Sequence, residues 1–148
     1  MPSKSLGITL LVAAVLMLAL PTALTAAEIN IGIKTILASN DRQYEDPQLR
    51  GIITELKTVF RFTSYRLLKQ NRLALSQGQT GRVNLPGNRI LSVTPTGSRG
   101  NRTQMGLRIN KKQRQIFETQ IELLKGGTLT VGGPRYENGY LLLNITSE

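Results

Sequence analysis

Apolar residues alternate with polar or small ones along most of the chain after residue 28, a pattern typical of β-strands. The first such segment begins at Ile29, where Ile29, Ile31 and Ile33 are separated by single polar or small residues. Side chains two positions apart lie on the same face of a strand, so these isoleucines are expected to face a core. The sequence therefore predicts an N-terminal strand.

A different period follows Asp46-Pro47, where apolar residues recur at spacings of three and four. This period is that of a helix with one apolar stripe. Asp at the N-cap and Pro in the first turn are typical of a helix start. The pattern predicts one amphipathic helix over residues 47–60 that packs on a sheet, with its stripe formed by Leu49, Ile52, Ile53, Leu56 and Phe60.

Strand periodicity returns after the helix and is clearest over residues 72–76, while residues 64–70 fit either a helix or a strand. Short alternating segments then lie between Gly and Pro positions, as in an antiparallel sheet. These segments comprise a turn at 78–81, a strand at 82–85, a type II turn at Pro86-Gly87-Asn88, a strand at 90–94 and a polar loop at 97–101.

The C-terminal part carries the strongest hairpin signal in the chain, Asn138-Gly139 between two tyrosines. Such a pair is typical of a type I′ turn, which needs positive φ at both central residues. The strand that follows, residues 140–145, is almost entirely apolar and is predicted to be central in its sheet. The glycines at 126–127 and 132–133 lie between strand patterns, so we interpret them as turns or bulges and not as a phosphate-binding loop.

Two strands, near residues 105 and 121, allow a register to be predicted. The apolar residues have odd numbers on both strands. Directly opposed residues share a face of the sheet, so an odd-numbered residue must lie opposite another odd-numbered residue. The loop between the strands must then contain an odd number of residues. A three-residue loop, Lys111 to Gln113, is expected to place Leu107 opposite Phe117. The same register places Met105 opposite Thr119 and Arg102 opposite Glu122.

These elements predict a single α+β domain over residues 28–148, in which one helix covers one side of an antiparallel sheet of five or more strands. Residues 1–27 have the pattern of a signal peptide: Lys4, an apolar run from Leu6 to Leu20, then Pro21 and small residues up to Ala27. Cleavage is expected before Glu28. The alternative is an uncleaved membrane anchor formed by residues 6–27.

The composition limits the chemistry of the chain. It contains no cysteine and no histidine, which excludes disulfides, thiol chemistry and zinc sites of the Cys or His kind. No cofactor or metal is predicted. Asp41, Glu45 and Asp46 could bind a hard cation, but their spacing does not match a known calcium loop, and an N-cap role for Asp46 is the preferred interpretation.

Charge is distributed unevenly. The formal net charge is +10, and no Asp or Glu lies between Leu56 and Phe117, a stretch with thirteen Lys and Arg residues. Such a block attracts anionic partners, although outward strand positions are also commonly basic. The candidate anion-binding residues are Arg82, Arg89, Arg99, Arg102, Arg108, Lys111, Lys112 and Arg114.

Four segments together resemble a family of small exported proteins of Gram-negative bacteria with no assigned function: Lys34 to Ser39, Phe62 to Leu68, Leu85-Pro86-Gly87 and Gly126 to Pro134. The last segment is also locally similar to the Gly-Gly strand segment of outer-membrane secretins. Neither resemblance implies a role for any particular residue.

The leading functional hypothesis is a non-catalytic periplasmic binding or scaffold module that contacts another component of the cell envelope. The alternative is a basic domain that binds an anionic polymer or a membrane surface directly. A small hydrolase using Asp, Glu, Ser or Lys is a third interpretation, without a recognisable pair of nucleophile and base. The expected partner is an envelope protein or an anionic polymer; nucleic acid is disfavoured, membrane contact stays open, and no small-molecule substrate is predicted.

Overall fold

The structure, a computed structural model, describes residues 21–22 and 25–148. Most of the predicted signal peptide, residues 1–27, lies outside the described residues. The described part contains one 3-10 turn (Pro47–Leu49), one helix and nine strands. These are β1 (Ile29–Ser39), β2 (Tyr44–Glu45), α1 (Ile53–Phe60), β3 (Ser64–Leu75), β4 (Gly81–Leu85), β5 (Arg89–Arg99), β6 (Arg102–Lys111), β7 (Arg114–Leu124), β8 (Thr128–Tyr136) and β9 (Gly139–Ser147).

The strands form two sheets, where the sequence predicts one. The five-stranded sheet has the order β2-β3-β1-β9-β8, and the four-stranded sheet has the order β4-β5-β6-β7. All neighbouring strands are antiparallel except the short parallel pair β2 and β3. The prediction of a β-rich fold is confirmed. Alternation shows which residues share a face, but not which strands pair, so it could not separate one sheet from two.

Two hydrophobic clusters lie on opposite faces of the five-stranded sheet. The larger one fills the space between the two sheets, and Ile31, Leu107 and Leu143 are among its fully buried residues. The smaller one lies under α1 and includes Leu56, Tyr65 and Leu142. The helix therefore covers one face of its sheet, as predicted, while the other face of that sheet packs on the four-stranded sheet.

The predicted helix start at Asp46 is confirmed, but the single helix over 47–60 is not. Asp46 is buried, and its carboxylate accepts hydrogen bonds from the backbone N–H groups of Gln48 and Leu67, both at 3.0 Å. These bonds cap the 3-10 turn and fasten it to β3. The chain then passes through a turn that contains Gly51, and α1 begins at Ile53. A glycine inside a helix costs about 1 kcal/mol relative to alanine, which favours an interruption there.

Two segments of uncertain or polar sequence are strands. The ambiguous residues 64–70 belong to β3. The predicted polar loop over 97–101 is wrong, because β5 continues to Arg99 and only Gly100 and Asn101 form the turn. After a bulge at Thr96, the strand pairs with β6 as far as Arg99 opposite Arg102, so these polar residues satisfy their backbone groups in the sheet.

The hairpin between β8 and β9 is confirmed, but the type I′ turn is not. Tyr136 pairs with Gly139, so the turn residues are Glu137 and Asn138, and of these only Glu137 has a positive φ, 48°. By contrast, Gly87 has the positive φ, 78°, that the second central position of a type II turn requires. Strand β9 lies between β1 and β8, which confirms its predicted position inside the sheet.

The register of β6 and β7 keeps the predicted parity but is displaced by two residues along β7. Phe117 is opposite Ile109, not Leu107, although Phe117 and Leu107 share a face as predicted. The turn has two residues, Lys112 and Gln113, both with positive φ, and not three. A two-residue turn alone would place odd-numbered residues opposite even-numbered ones. Ile116 forms a bulge, and this extra residue on β7 brings Phe117 opposite the odd-numbered Ile109.

The two ends of this β-sandwich differ in what they carry. At the terminal pole, Glu28 and Ile29 lie beside the β5–β6 turn and the last residues, Ser147 and Glu148. At the opposite end, which we call the basic pole, the β4–β5, β6–β7 and β8–β9 turns lie near the end of β1. Strand β1 runs from one pole to the other.

Candidate anion-binding site

The eight candidate basic residues separate into two groups in the structure. Four lie on the outer face of the four-stranded sheet, because their registers place them opposite residues that point away from the core: Arg82, Arg99, Arg102 and Arg108. The other four lie at the basic pole: Arg89, Lys111, Lys112 and Arg114.

The outer-face group is partly neutralised. Arg102 is 3.1 Å from Glu122, and Arg108 is 3.3 Å from Glu118, measured between guanidinium nitrogen and carboxylate oxygen. Both carboxylates come from β7, so the stretch without Asp or Glu in the sequence is not free of carboxylates in space. These exposed pairs add at most about 1 kcal/mol each to stability, but they lower the positive potential of this face.

At the basic pole, three cations stand directly opposite one another on three adjacent strands. Arg89 of β5 is opposite Lys111 of β6, which is opposite Arg114 of β7. We call these three residues the cation row. None of the ion pairs found in residues 25–148 includes a member of the row. Like charges directly opposite on a sheet destabilise it, so the row is a place where an anion would stabilise the fold.

Arg89 is the best-ordered member of the row. Its Nη2 donates a hydrogen bond to the backbone oxygen of Arg135, at 2.6 Å, and its guanidinium lies 5.8 Å from the ring centre of Tyr136. Its Nε and Nη1 are buried and have no hydrogen-bond acceptor in the structure. The Arg89 guanidinium is therefore held in place by its Nη2, and no carboxylate of the described residues is paired with its charge.

Tyr136 connects the two sheets at this pole. Burial raises the pKa of its hydroxyl, and the neighbouring Glu137 carboxylate raises it further, whereas the positive charges of Arg66 and Arg89 lower it. Both guanidinium groups are therefore close enough to influence the same phenol. Arg66, on β3, also has a buried Nε without an acceptor.

Sequence reasoning did not select Arg66 as a candidate. Its neighbours Tyr65 and Leu67 contact the cluster under α1, and Arg66 itself lies opposite Leu37, facing the inside of the sandwich. An arginine within a largely apolar strand is a signal for a partly buried charge. This signal was hidden because residues 64–70 could not be assigned to a strand from sequence.

The remaining motifs have structural explanations. Asp46 caps the 3-10 turn, Glu45 forms an ion pair with Lys57, and Asp41 accepts a hydrogen bond from Ser39. The glycines at 126–127 form a turn, and a bulge at Gly133 and Pro134 follows Gly132, in agreement with the predicted turns or bulges. Within residues 25–148, no three residues of the kinds that bind metals come together as a potential metal site. In the same part of the chain, no helix has the length and apolar character needed to cross a membrane.

No protein family model, curated protein or solved structure matches the chain. The resemblance to small exported proteins and the local similarity to secretins therefore stay predictions.

Proposed function

We propose that this domain is a non-catalytic binding module of the cell envelope, and that its cation row binds an anionic group of another envelope component. The observation that carries the proposal is the row itself. Arg89, Lys111 and Arg114 are in direct opposition, and no carboxylate of the described residues is paired with them. The periplasmic location rests on the pattern of residues 1–27.

Several features favour the basic pole over the outer face as the binding surface. Two of the four outer-face arginines are paired with carboxylates of β7, whereas the row has Lys112 as an additional cation in the adjoining turn. Lys111 and Arg114 are exposed, and Arg89 is held in place between them and Tyr136. A surface that combines the held Arg89 with the exposed Lys111 and Arg114 suits an extended acidic polymer or an anionic membrane surface better than an enclosed substrate.

Binding of acidic polymers tests the proposal. The purified protein is titrated with an acidic polysaccharide, with anionic lipid vesicles and with single-stranded DNA, at low and at moderate salt. We expect binding that weakens as salt rises, because neutralised anions release counterions. For single-stranded DNA, each lost contact lowers the slope of log K against log salt by about 0.7, so R89Q/K111Q/R114Q should lower it by about 2.

The matched control is R50Q/R82Q/R99Q, which removes the same number of charges from exposed arginines outside the row. It should retain most of the affinity. Equal losses in both variants would mean that binding follows net charge and not the row. If the wild-type protein binds none of the three probes at low salt, the proposal is wrong.

A further inference from the structure

A separate polar pocket of about 190 Å³ lies at the basic pole, between the end of β1, the start of β3 and the β8–β9 turn. Since a water molecule occupies about 30 Å³ of the liquid, the pocket has room for a molecule of several non-hydrogen atoms. Its polar lining includes Ser39, Asp41, Arg42, Ser64, Arg66 and Glu137.

The pocket is lined by charges of both signs. Arg66, Asp41 and Glu137 all line it, and none of the ion pairs in residues 25–148 includes any of these three. Arg42 also lines the pocket, but its guanidinium lies 5.5 Å from the ring centre of Tyr44, which is not part of the lining. These groups come from three segments of the chain: Arg66 from β3, Asp41 from the loop after β1 and Glu137 from the β8–β9 turn.

Each sign is represented by a side chain on the wall of the pocket. Arg66 is partly buried and lines the wall formed by β3, and its buried Nε has no acceptor among the described residues. Asp41 accepts hydrogen bonds from Ser39 Oγ and, at 3.3 Å, from Asn138 Nδ2, which hold its carboxylate beside the turn. The bond from Ser39 is the main reason that the pKa of Asp41 is lowered, so the carboxylate is charged at neutral pH.

We propose that this pocket binds a small molecule with one carboxylate and one ammonium group, of the α-amino acid class. The ligand carboxylate accepts hydrogen bonds from Arg66, and its ammonium group faces Glu137 and Asp41. A simple anion would be repelled by the two carboxylates, and a simple cation by Arg66. A ligand with both charges complements the whole lining.

The test uses nuclear magnetic resonance titration of the full protein with glycine, D-alanine and L-alanine at millimolar concentrations, and with acetate and methylammonium separately. We expect binding of at least one amino acid, with shifts in the signals of Ser39, Arg66 and Glu137. R66Q and E137Q should each weaken that binding by about tenfold or more, as loss of a charged hydrogen bond does. R66K should restore part of it, which also shows that loss of binding does not reflect loss of the fold.

The exposed Arg72, on β3 but outside the pocket, provides the control R72Q, which should bind as the wild type does. Equal affinity for acetate and glycine, with no effect of E137Q, would overturn the proposal, and so would an absence of binding by all three amino acids. The cation row is a different surface. R89Q/K111Q/R114Q should keep amino acid binding. Amino acid binding and polymer binding can therefore each be lost or absent without the other, so the two proposals are tested independently.

Discussion

Replacement of Gly139 by alanine should destabilise the domain strongly, because β1 and β9 approach each other too closely there for a side chain. A Cβ on residue 139 would lie 2.0 Å from the backbone oxygen of Ala38 and 2.9 Å from the Cβ of Ser39. Favourable contacts between heavy atoms lie at about 3.5–4.0 Å, so the strands would have to separate by more than 1 Å. The obstructing oxygen belongs to the backbone and cannot rotate away.

The expected cost is about 3 kcal/mol, the upper part of the usual range for overpacking, since β1 and β9 contribute to both hydrophobic clusters. For a domain of this size, each kcal/mol lowers the melting temperature by about 4 °C, so G139A should melt about 12 °C below the wild type. Urea unfolding followed by circular dichroism measures the free energy, and thermal unfolding measures the melting temperature.

The control is G51A. A Cβ on Gly51 would meet nothing within 4 Å, and its φ is not positive. Alanine there should be neutral or stabilise by up to about 1 kcal/mol through the entropy of the unfolded chain. If G139A unfolds within about 1 kcal/mol of the wild type, the close approach of β1 and β9 is not a constraint, and the reasoning is refuted.

Two further predictions concern the helix layer and the N-terminus. The buried Tyr65 hydroxyl donates to the backbone oxygen of Leu56 at 3.0 Å and accepts from the backbone N–H of Phe62 at 3.1 Å, so Y65F should cost about 1–3 kcal/mol in urea unfolding; an unchanged midpoint would show that water replaces the hydroxyl. The protein recovered from a periplasmic fraction should begin at Glu28, as measured by intact mass. Recovery of the full-length chain in the membrane pellet would instead establish an anchor.

Local signals in the sequence predicted local structure well. The N-cap at Asp46, the turn at Gly87 and the shared face of Leu107 and Phe117 are all present, because each depends on a few neighbouring residues. The separation into two sheets depends on which distant strands pair, and alternation does not encode this. The bulge at Ile116 likewise changes the register without a residue that marks it.

Gly139 illustrates a correct prediction with a wrong reason. The Asn138-Gly139 pair predicts a positive φ at Gly139, but Gly139 does not have one. A glycine is needed there because a Cβ on residue 139 would collide with the backbone oxygen of Ala38. A sequence shows that a glycine is present, and only the contacts across strands show which of its properties is used.

The candidate site could be predicted only in part. The uneven charge selects the basic stretch of the chain, and half of the candidate residues chosen from it lie at the basic pole. The partners of the others, Glu118 and Glu122, lie beyond the basic stretch in sequence and reach it only through the pairing of β6 with β7. Arg66 gains its importance from burial beside a second sheet, which no local pattern shows.

The length of β1 separates the point where the chain enters the domain from the surface proposed to bind. Eleven residues at about 3.3 Å each place the far end of β1, at the pole that carries the cation row, roughly 35 Å from Ile29. Electrostatic screening in physiological salt acts over about 8 Å, so the row lies some four screening lengths away from anything at the entry point. A domain tethered at that end to a lipid bilayer would hold the cation row outside the electrostatic field of its own membrane. The row would then respond to acidic groups of components that lie farther from that membrane.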